Sequence, residues 1–274
     1  MSDSPRKVPP LPEMVLPESE GRAQLKKATR RSFLGVAVAA VGVALGWRWL
    51  TSTPLVDDVH APLRSVLRFN ERLSRAAFSR DRLAPTFPRE RAQEPRANGT
   101  EGLDDEDFDP AAWRLAVDGL AAGSANLGLA DLQSLPKTEM VTELKCIEGW
   151  STVVQWGGVR FADFATRFPP PTPSGRPFDL AARPQDVPEY LSMETPDGEY
   201  FVGLDSDSAL HPQTLLAWEM NGEPLSEEHG APLRLVIPVK YGIKNIKRIG
   251  RIEWQDRRPK DYWADRGYDW YAGH

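Results

Sequence analysis

Cys146-Ile147-Glu148-Gly149-Trp150-Ser151-Thr152-Val153-Val154-Gln155-Trp156 follows directly on Thr142-Glu143-Leu144-Lys145. The upstream alternation reads as a strand that delivers Cys146 to its end, next to a glycine-containing turn. Cys146 is the only cysteine in 274 residues. A single thiol forms no disulfide within the chain, and it cannot supply a Cys-rich zinc site or an iron–sulfur cluster. Two uses remain open. A lone Cys packs well as a small apolar residue, and a strand-end thiolate beside Lys145 suits a soft or high-valent metal with an open position. A thiol nucleophile needs a base, and none of His60, His211, His229 and His274 is placed beside Cys146 by sequence.

Outward from this segment the pattern is rich in strands. Trp113 to Gly119, Leu233 to Val239 and Arg248 to Trp254 alternate as strands, while Leu129 to Leu135 reads as a short helix closed by Pro136 and Phe161 to Phe164 as a helical turn. No repeat at a fixed period is visible. The class is α+β, mostly β, and the length suffices for one sizeable core. Asp104-Asp105-Glu106-Asp107-Phe108-Asp109 lacks the alternating ligand spacing and central glycine of a calcium loop, so it reads as a solvated loop.

The charge is uneven. Residues 1–50 hold eight basic and four acidic side chains, leaving 26 basic against 35 acidic, a net −9, in the rest. A body this acidic gives no electrostatic reason to bind nucleic acid. Residues 1–32 read as a disordered basic tail. Lys26-Lys27-Ala28-Thr29-Arg30-Arg31 then leads into the apolar run Phe33 to Trp47, the layout of an export segment. Extended to Leu50, that run is long enough for an anchor helix with Arg48 snorkelling. Small residues at Ala44-Leu45-Gly46 and Val59-His60-Ala61 offer cleavage positions, the second followed by Pro62, and a retained anchor is the favoured reading. Residues 51–97 read as a linker with an amphipathic helix, APLRSVLRFNERLSRAAFS, whose apolar positions are Leu63, Val66, Leu67, Leu73 and Phe78.

Four ordered blocks within residues 98–256 carry a family resemblance: the Cys146 segment, Ser192-Met193-Glu194-Thr195, Asp207 to Leu215 with its His211-Pro212 turn, and His229 to Pro238 followed by Lys240 to Lys247. Together they resemble the sulfite oxidase-fold molybdopterin enzymes, and most closely their periplasmic methionine-sulfoxide reductase branch. The resemblance implies a sulfite oxidase-type molybdopterin-binding fold over residues 98–274 and a molybdenum-molybdopterin cofactor, with Cys146 as the protein's thiolate on molybdenum and the catalytic centre. It further implies that Thr195 hydrogen-bonds the pterin, that His229 contacts it, and that Arg234 pairs with its phosphate while Asn245, Ile246 and Lys247 close around the same group. Asn98, Thr100 and Glu101 occupy the position of a cofactor loop. Lys240, Lys244 and Arg248 are expected to extend this basic cluster.

Two departures from the family pattern bear on chemistry. His229 stands where asparagine is common, and Glu148-Gly149-Trp150-Ser151 replaces a run whose arginine binds sulfite. Trp150 and Trp156 are expected as apolar walls for a neutral sulfoxide, possibilities for which include a side chain on a polypeptide. Thr29-Arg30-Arg31-Ser32-Phe33-Leu34 resembles the twin-arginine export motif, which implies a periplasmic location or an anchor on the outer side of the cytoplasmic membrane. With no haem motif in the chain, the resemblance implies a membrane haem protein as electron donor. Oxidation of sulfite or another small molecule on the same cofactor, and a cofactor-free tethered binding module, are the competing readings.

Overall fold

Free of proline from Glu18 to Thr53 and rich in alanine, leucine, lysine and arginine, the N-terminal segment has the composition of a helix. The computed structural model describes residues 18–104 and 108–274 and forms that helix as α1, Glu18–Ser52. The tail expected over residues 1–32 therefore becomes helical from Glu18, and its first 17 residues lie outside the described ones, as do 105–107 of the acidic stretch. Within α1, Thr29–Ser52 is 24 residues long with mean hydropathy 1.7, long and apolar enough to cross a membrane. The chain divides into two units, Met1–Pro54 and Leu55–His274.

The second unit begins with the paired strands β1, Leu55–Val56, and β2, Val59–His60, followed by α2, Ala61–Ala77, which carries proline in its first turn. α2 is the amphipathic helix expected from the sequence, but its apolar positions face outward. Arg64 and Glu71 are buried, whereas Leu63, Val66, Phe69 and Leu73 are exposed. Residues 78–95 also belong to the unit: the buried His211 accepts the Gln213 N–H at Nδ1 (3.2 Å) and lies 3.2 Å from the Arg82 carbonyl through Nε2.

Next come β3, Leu115–Leu120, and β4, Gly123–Leu127, then α3, Leu129–Gln133, whose Asp131 carboxylate accepts the Gly128 N–H at 2.8 Å. The long hairpin of β5, Lys137–Lys145, and β6, Ser151–Arg160, leads into α4, Phe161–Arg167. β7, Tyr190–Glu194, β8, Phe201–Asp205, α5, Ser206–Ala209, and β9, Leu215–Met220, follow, and then β10, Glu223–Pro224, β11, Arg234–Val236, and β12, Arg251–Gln255. One sheet runs β10-β9-β6-β5 with β11 also on β9; the other runs β4-β3-β12-β7-β8, in which β3 and β12 pair parallel and the remaining pairs are antiparallel.

Alternation along the strands makes the main core. Leu115, Val117, Leu191, Met193, Ile252 and Trp254 of the second sheet share one buried cluster with Val159, Leu216 and Leu235 of the first and with Phe161 and Phe164 of α4. The first sheet buries a second cluster made of Met140, Val154, Trp156, Leu215, Ala217 and Val236. A strand buried on both faces cannot shift its register without exposing one apolar set, so β6 is held firmly. The α+β class with predominant strands, expected from the sequence, is the class of this unit.

At Gly157 and Gly158 the β6–β9 register shifts, and the two backbones come close. A Cβ at Gly158 would stand 2.1 Å from the Leu216 carbonyl oxygen. Gly158→Ala should therefore destabilise the fold by about 1–3 kcal/mol, the range for overpacking a filled interior. The check is a lower denaturant midpoint at unchanged slope in chemical unfolding.

Candidate cofactor site

The β5–β6 turn sets the position of the thiol. Cys146 N–H donates to the Trp150 carbonyl at 2.9 Å and Gly149 N–H to the Cys146 carbonyl at 3.2 Å. Gly149 takes φ +87°, a conformation glycine adopts readily. With Lys145 paired to Ser151, this tight turn leaves Cys146 half-buried on the wall of a cavity of about 280 Å³. Gly242 lies on the wall beside the Lys145–Cys146 backbone.

The same cavity is lined by Asn98, Glu101, His229, Arg234, Asn245 and Lys247, all expected from the sequence. Asn98 and Glu101 come from one loop, and His229, Arg234 of β11, Asn245 and Lys247 from a segment far along the chain. Lys247 ties the two together by donating to the carbonyls of Asn98 (2.9 Å) and Gly99 (3.0 Å). Asn98 Nδ2 in turn lies 3.9 Å from Cys146 Sγ and 3.4 Å from a Glu148 carboxylate oxygen.

Three expected residues do not line the cavity. Thr195 is buried with its hydroxyl donating to Asp197 at 2.5 Å and accepting the Tyr200 N–H at 3.1 Å, and Gly102 sits directly over it. Ile246 is a core residue. Thr100 lies in the loop, exposed, and its carbonyl accepts the Leu103 N–H. Trp156, expected as a wall, is buried behind the cavity with its ring 4.7 Å from the Arg234 guanidinium carbon. Its β6 register puts it in the core beneath the sheet, whereas Trp150, in the turn, does line the cavity.

The expected basic cluster also divides. Lys240 is buried against Asp205 at 3.5 Å and over the Tyr271 ring. Lys244 is buried in contact with Asp261 and donates to the Gly203 carbonyl at 2.9 Å. Arg248 stacks on Phe108 at 4.0 Å. These three brace the fold, and of the expected basic residues Arg234 and Lys247 line the cavity.

Arg234 is fully enclosed, and no carboxylate among the described residues pairs with it. Its guanidinium donates to the carbonyls of His229 (3.0 Å) and Asn245 (3.4 Å), and its Nε is without a hydrogen-bond partner. Burial pulls its pKa down to about 10 and, aided by the charge of Arg234, that of Lys247 down to about 8. His229 is held below its ordinary value, first by burial and then by Arg234, so it stands neutral at pH 7 instead of titrating there. A buried cation with an unused donor and a second cation beside it are suited to a phosphate group. Burial, with the Glu148 carboxylate adding to it, pushes the Cys146 thiol up. Only a strong electrophile such as a metal cation would hold it as thiolate there. The residues present thus fit a cofactor that carries a phosphate at one end and a soft metal at the other.

Sequence reading missed Arg96, Tyr200, Trp263 and Tyr268, which complete the cavity. Tyr200 arrives through the β7–β8 turn, opposite Thr195, and donates from its hydroxyl to the Ile243 carbonyl at 2.6 Å. Arg96 stands two residues before Asn98, and that spacing from an expected site residue was the available signal. Its charge acts on Glu148, whose carboxylate is lowered mainly by hydrogen bonds from Trp150 Nε1 (3.0 Å) and Asn98.

Comparison with known proteins agrees with this geometry. Residues 102–263 match the family described as the oxidoreductase molybdopterin binding domain. A protein of Azospira oryzae named as protein-methionine-sulfoxide reductase subunit YedZ1 is 33% identical over 248 residues, 89% of this chain and 87% of that one. The protein-methionine-sulfoxide reductase catalytic subunit MsrP of Xanthomonas axonopodis pv. citri is 39% identical over 157 residues, 56% of this chain and 48% of that one, so the chain matches about half the length of that relative. Among solved structures, the sulfane dehydrogenase SoxCD from Paracoccus pantotrophus is similar over 56% of this chain and 40% of that one, at 20% identity and a TM-score of 0.47. With the family match spanning more than half of the sequence and most of the walls of a cavity that carries a thiol and buried cations lying within it, the chain belongs to the oxidoreductase molybdopterin-binding domain family and is a molybdopterin-dependent oxidoreductase.

Proposed function

We propose that this chain reduces S-oxides, with methionine sulfoxide, free or in a polypeptide, as the substrate class. The observation that carries the reading is the mouth of the cavity beside Cys146, where the Glu148 carboxylate, fixed by Trp150 and Asn98, sits within the influence of Arg96. A mouth that balances its one cation with a carboxylate and adds an indole face suits a neutral, polar sulfoxide next to a methyl group. The names of the relatives support the same substrate class.

When bound, a molybdenum-molybdopterin cofactor would supply the two-electron redox chemistry. Reduction of a sulfoxide to a thioether takes up two electrons and two protons and releases water. The only cysteine cannot deliver those electrons by forming a disulfide within the chain. Cys146 would ligate the metal, Arg234 and Lys247 would hold the phosphate, and His229, Asn98 and Glu101 would face the cofactor. Asn245 acts on the phosphate site indirectly. Its side-chain oxygen accepts the Ile237 N–H at 2.9 Å and its amide donates to the Tyr241 carbonyl at 3.2 Å, which presents the Asn245 carbonyl to Arg234. Thr195 and Ile246 support this site from behind and Thr100 shapes the loop over it. The electrons come from outside, and a haem protein of the membrane is the proposed donor. The proposed location is the periplasmic side of the cytoplasmic membrane, reached by the twin-arginine route and held there by α1.

Arg96 is the one feature that favours an anionic substrate such as sulfite. Steady-state turnover of methionine sulfoxide with a reduced viologen dye, set against sulfite with an oxidised acceptor, separates the two. Sulfoxide turnover is expected to dominate, and Arg96→Gln to leave it within about threefold, as for an exposed charge of small energetic weight. Sulfite oxidation without sulfoxide turnover would overturn the substrate assignment.

Cys146→Ser should fold and retain pterin while losing turnover, whereas Arg234→Gln should lose bound pterin. Fluorescence of the oxidised pterin and elemental molybdenum, measured on the same samples, check both. For the export route, replacing Arg30 and Arg31 by lysine should trap the protein in the cytoplasm, as cell fractionation would show.

A further inference from the structure

α2 is mounted with its polar side inward. Arg64, 6% exposed, donates to the carbonyls of Asp57 (2.6 Å), Val56 (3.2 Å), Ala264 (3.1 Å) and Tyr268 (3.2 Å). Glu71, 5% exposed, accepts Arg258 through both carboxylate oxygens at 3.0 and 2.9 Å, and the same guanidinium lies 4.2 Å from the Trp270 ring. These bonds fix the rotation of the helix about its axis. In consequence Leu63, Val66, Phe69 and Leu73 are 46, 54, 57 and 61% exposed. Their spacing of three and four residues puts them on one stripe.

Arg68 and Arg72 are also exposed, and the only acid of α2, Glu71, is already taken by Arg258. An apolar stripe flanked by free guanidinium groups has the chemistry of a helix lying in the plane of a bilayer, its stripe among acyl chains and its cations on headgroup phosphates. The sequence supplies a second, independent pointer. Only eight residues separate the end of α1 at Ser52 from the start of α2 at Ala61, so a bilayer holding Thr29–Ser52 would be within reach of α2.

We propose that α2 is an in-plane membrane helix that seats Val66, Phe69 and Leu73 in the lipid and places Arg68 and Arg72 on anionic headgroups. The contact is additional to the α1 span and rests on the membrane location proposed above. A second copy of the chain or a protein partner seated on this stripe would shield it from lipid, and that outcome is distinguished by the test.

The test uses the full-length holoenzyme in nanodiscs of phosphatidylcholine and phosphatidylglycerol that include a lipid with a diazirine in its acyl chain. After irradiation, adducts are mapped by peptide mass spectrometry. Adducts are expected on α1 and on α2 at Val66, Phe69 and Leu73. The variant Val66→Ser/Phe69→Ser/Leu73→Ser should lose those on α2, keep those on α1 and retain its molybdenum. Adducts on α1 alone would overturn the proposal and leave the span standing, whereas adducts on neither would remove both.

Discussion

Arg234 holds its guanidinium inside the protein on the carbonyls of His229 and Asn245 and against the face of Trp156, none of which carries charge. A cation taken out of water without an anion is costly, and breaking such a site by halves costs more than building it whole. Much of the surrounding chain is arranged to keep those carbonyls in place. Gly230, at φ +95°, turns the chain after His229, and a Cβ there would strike Lys247 at 2.7 Å. The side chain of Asn245 spends its hydrogen bonds on its own loop. An unpaired buried cation gains when an anion arrives, which is the basis of the phosphate role proposed for Arg234.

The two sheets have unequal duties. The first carries the thiol turn at the end of β5 and β6 and the arginine on β11, so the two ends of the cofactor site share one hydrogen-bonded frame. The second sheet contributes core and, through Tyr200 beside β8, one wall. Loops alone bring Asn98, His229 and Lys247, and the Lys247 ammonium ties its own loop to that of Asn98. Strands thus fix the thiol and the buried guanidinium, while the walls between them are left to loops.

Much of this was legible in the sequence because it depends on local pattern. Alternation located β3, β5, β11 and β12, the strand-end position of Cys146 followed from it, and ordered blocks identified the family. The sequence could not reveal which lysines face the cavity. Lys240, Lys244 and Lys247 are close in the chain, but their partners Asp205 and Asp261 arrive from elsewhere, so only the folded arrangement sorts bracing ion pairs from free charge. Trp156 and Trp150 were both expected as walls, Trp150 the better of the two, and strand register placed Trp156 in the core and left Trp150 in the turn. The amphipathic pattern of α2 was read correctly as a helix, yet periodicity carries no sign. Whether the apolar or the polar side faces the body is decided by Arg258 and by the carbonyls that Arg64 meets, two of them, on Ala264 and Tyr268, distant in the chain.

The β5–β6 hairpin pairs nine consecutive positions, from Lys137 with Val159 to Lys145 with Ser151, before the chain reverses at the thiol. An added or deleted residue in either strand would turn alternate side chains through the sheet and carry Cys146 away from Arg234 and the cavity. Diversification of this hairpin is therefore confined to exchanges of side chain at constant length. Glu148 and Trp150, outside the ladder but fixed in number by the turn, are where one residue type can be traded for another without moving the ligand, so new substrates can be admitted on an unaltered metal platform.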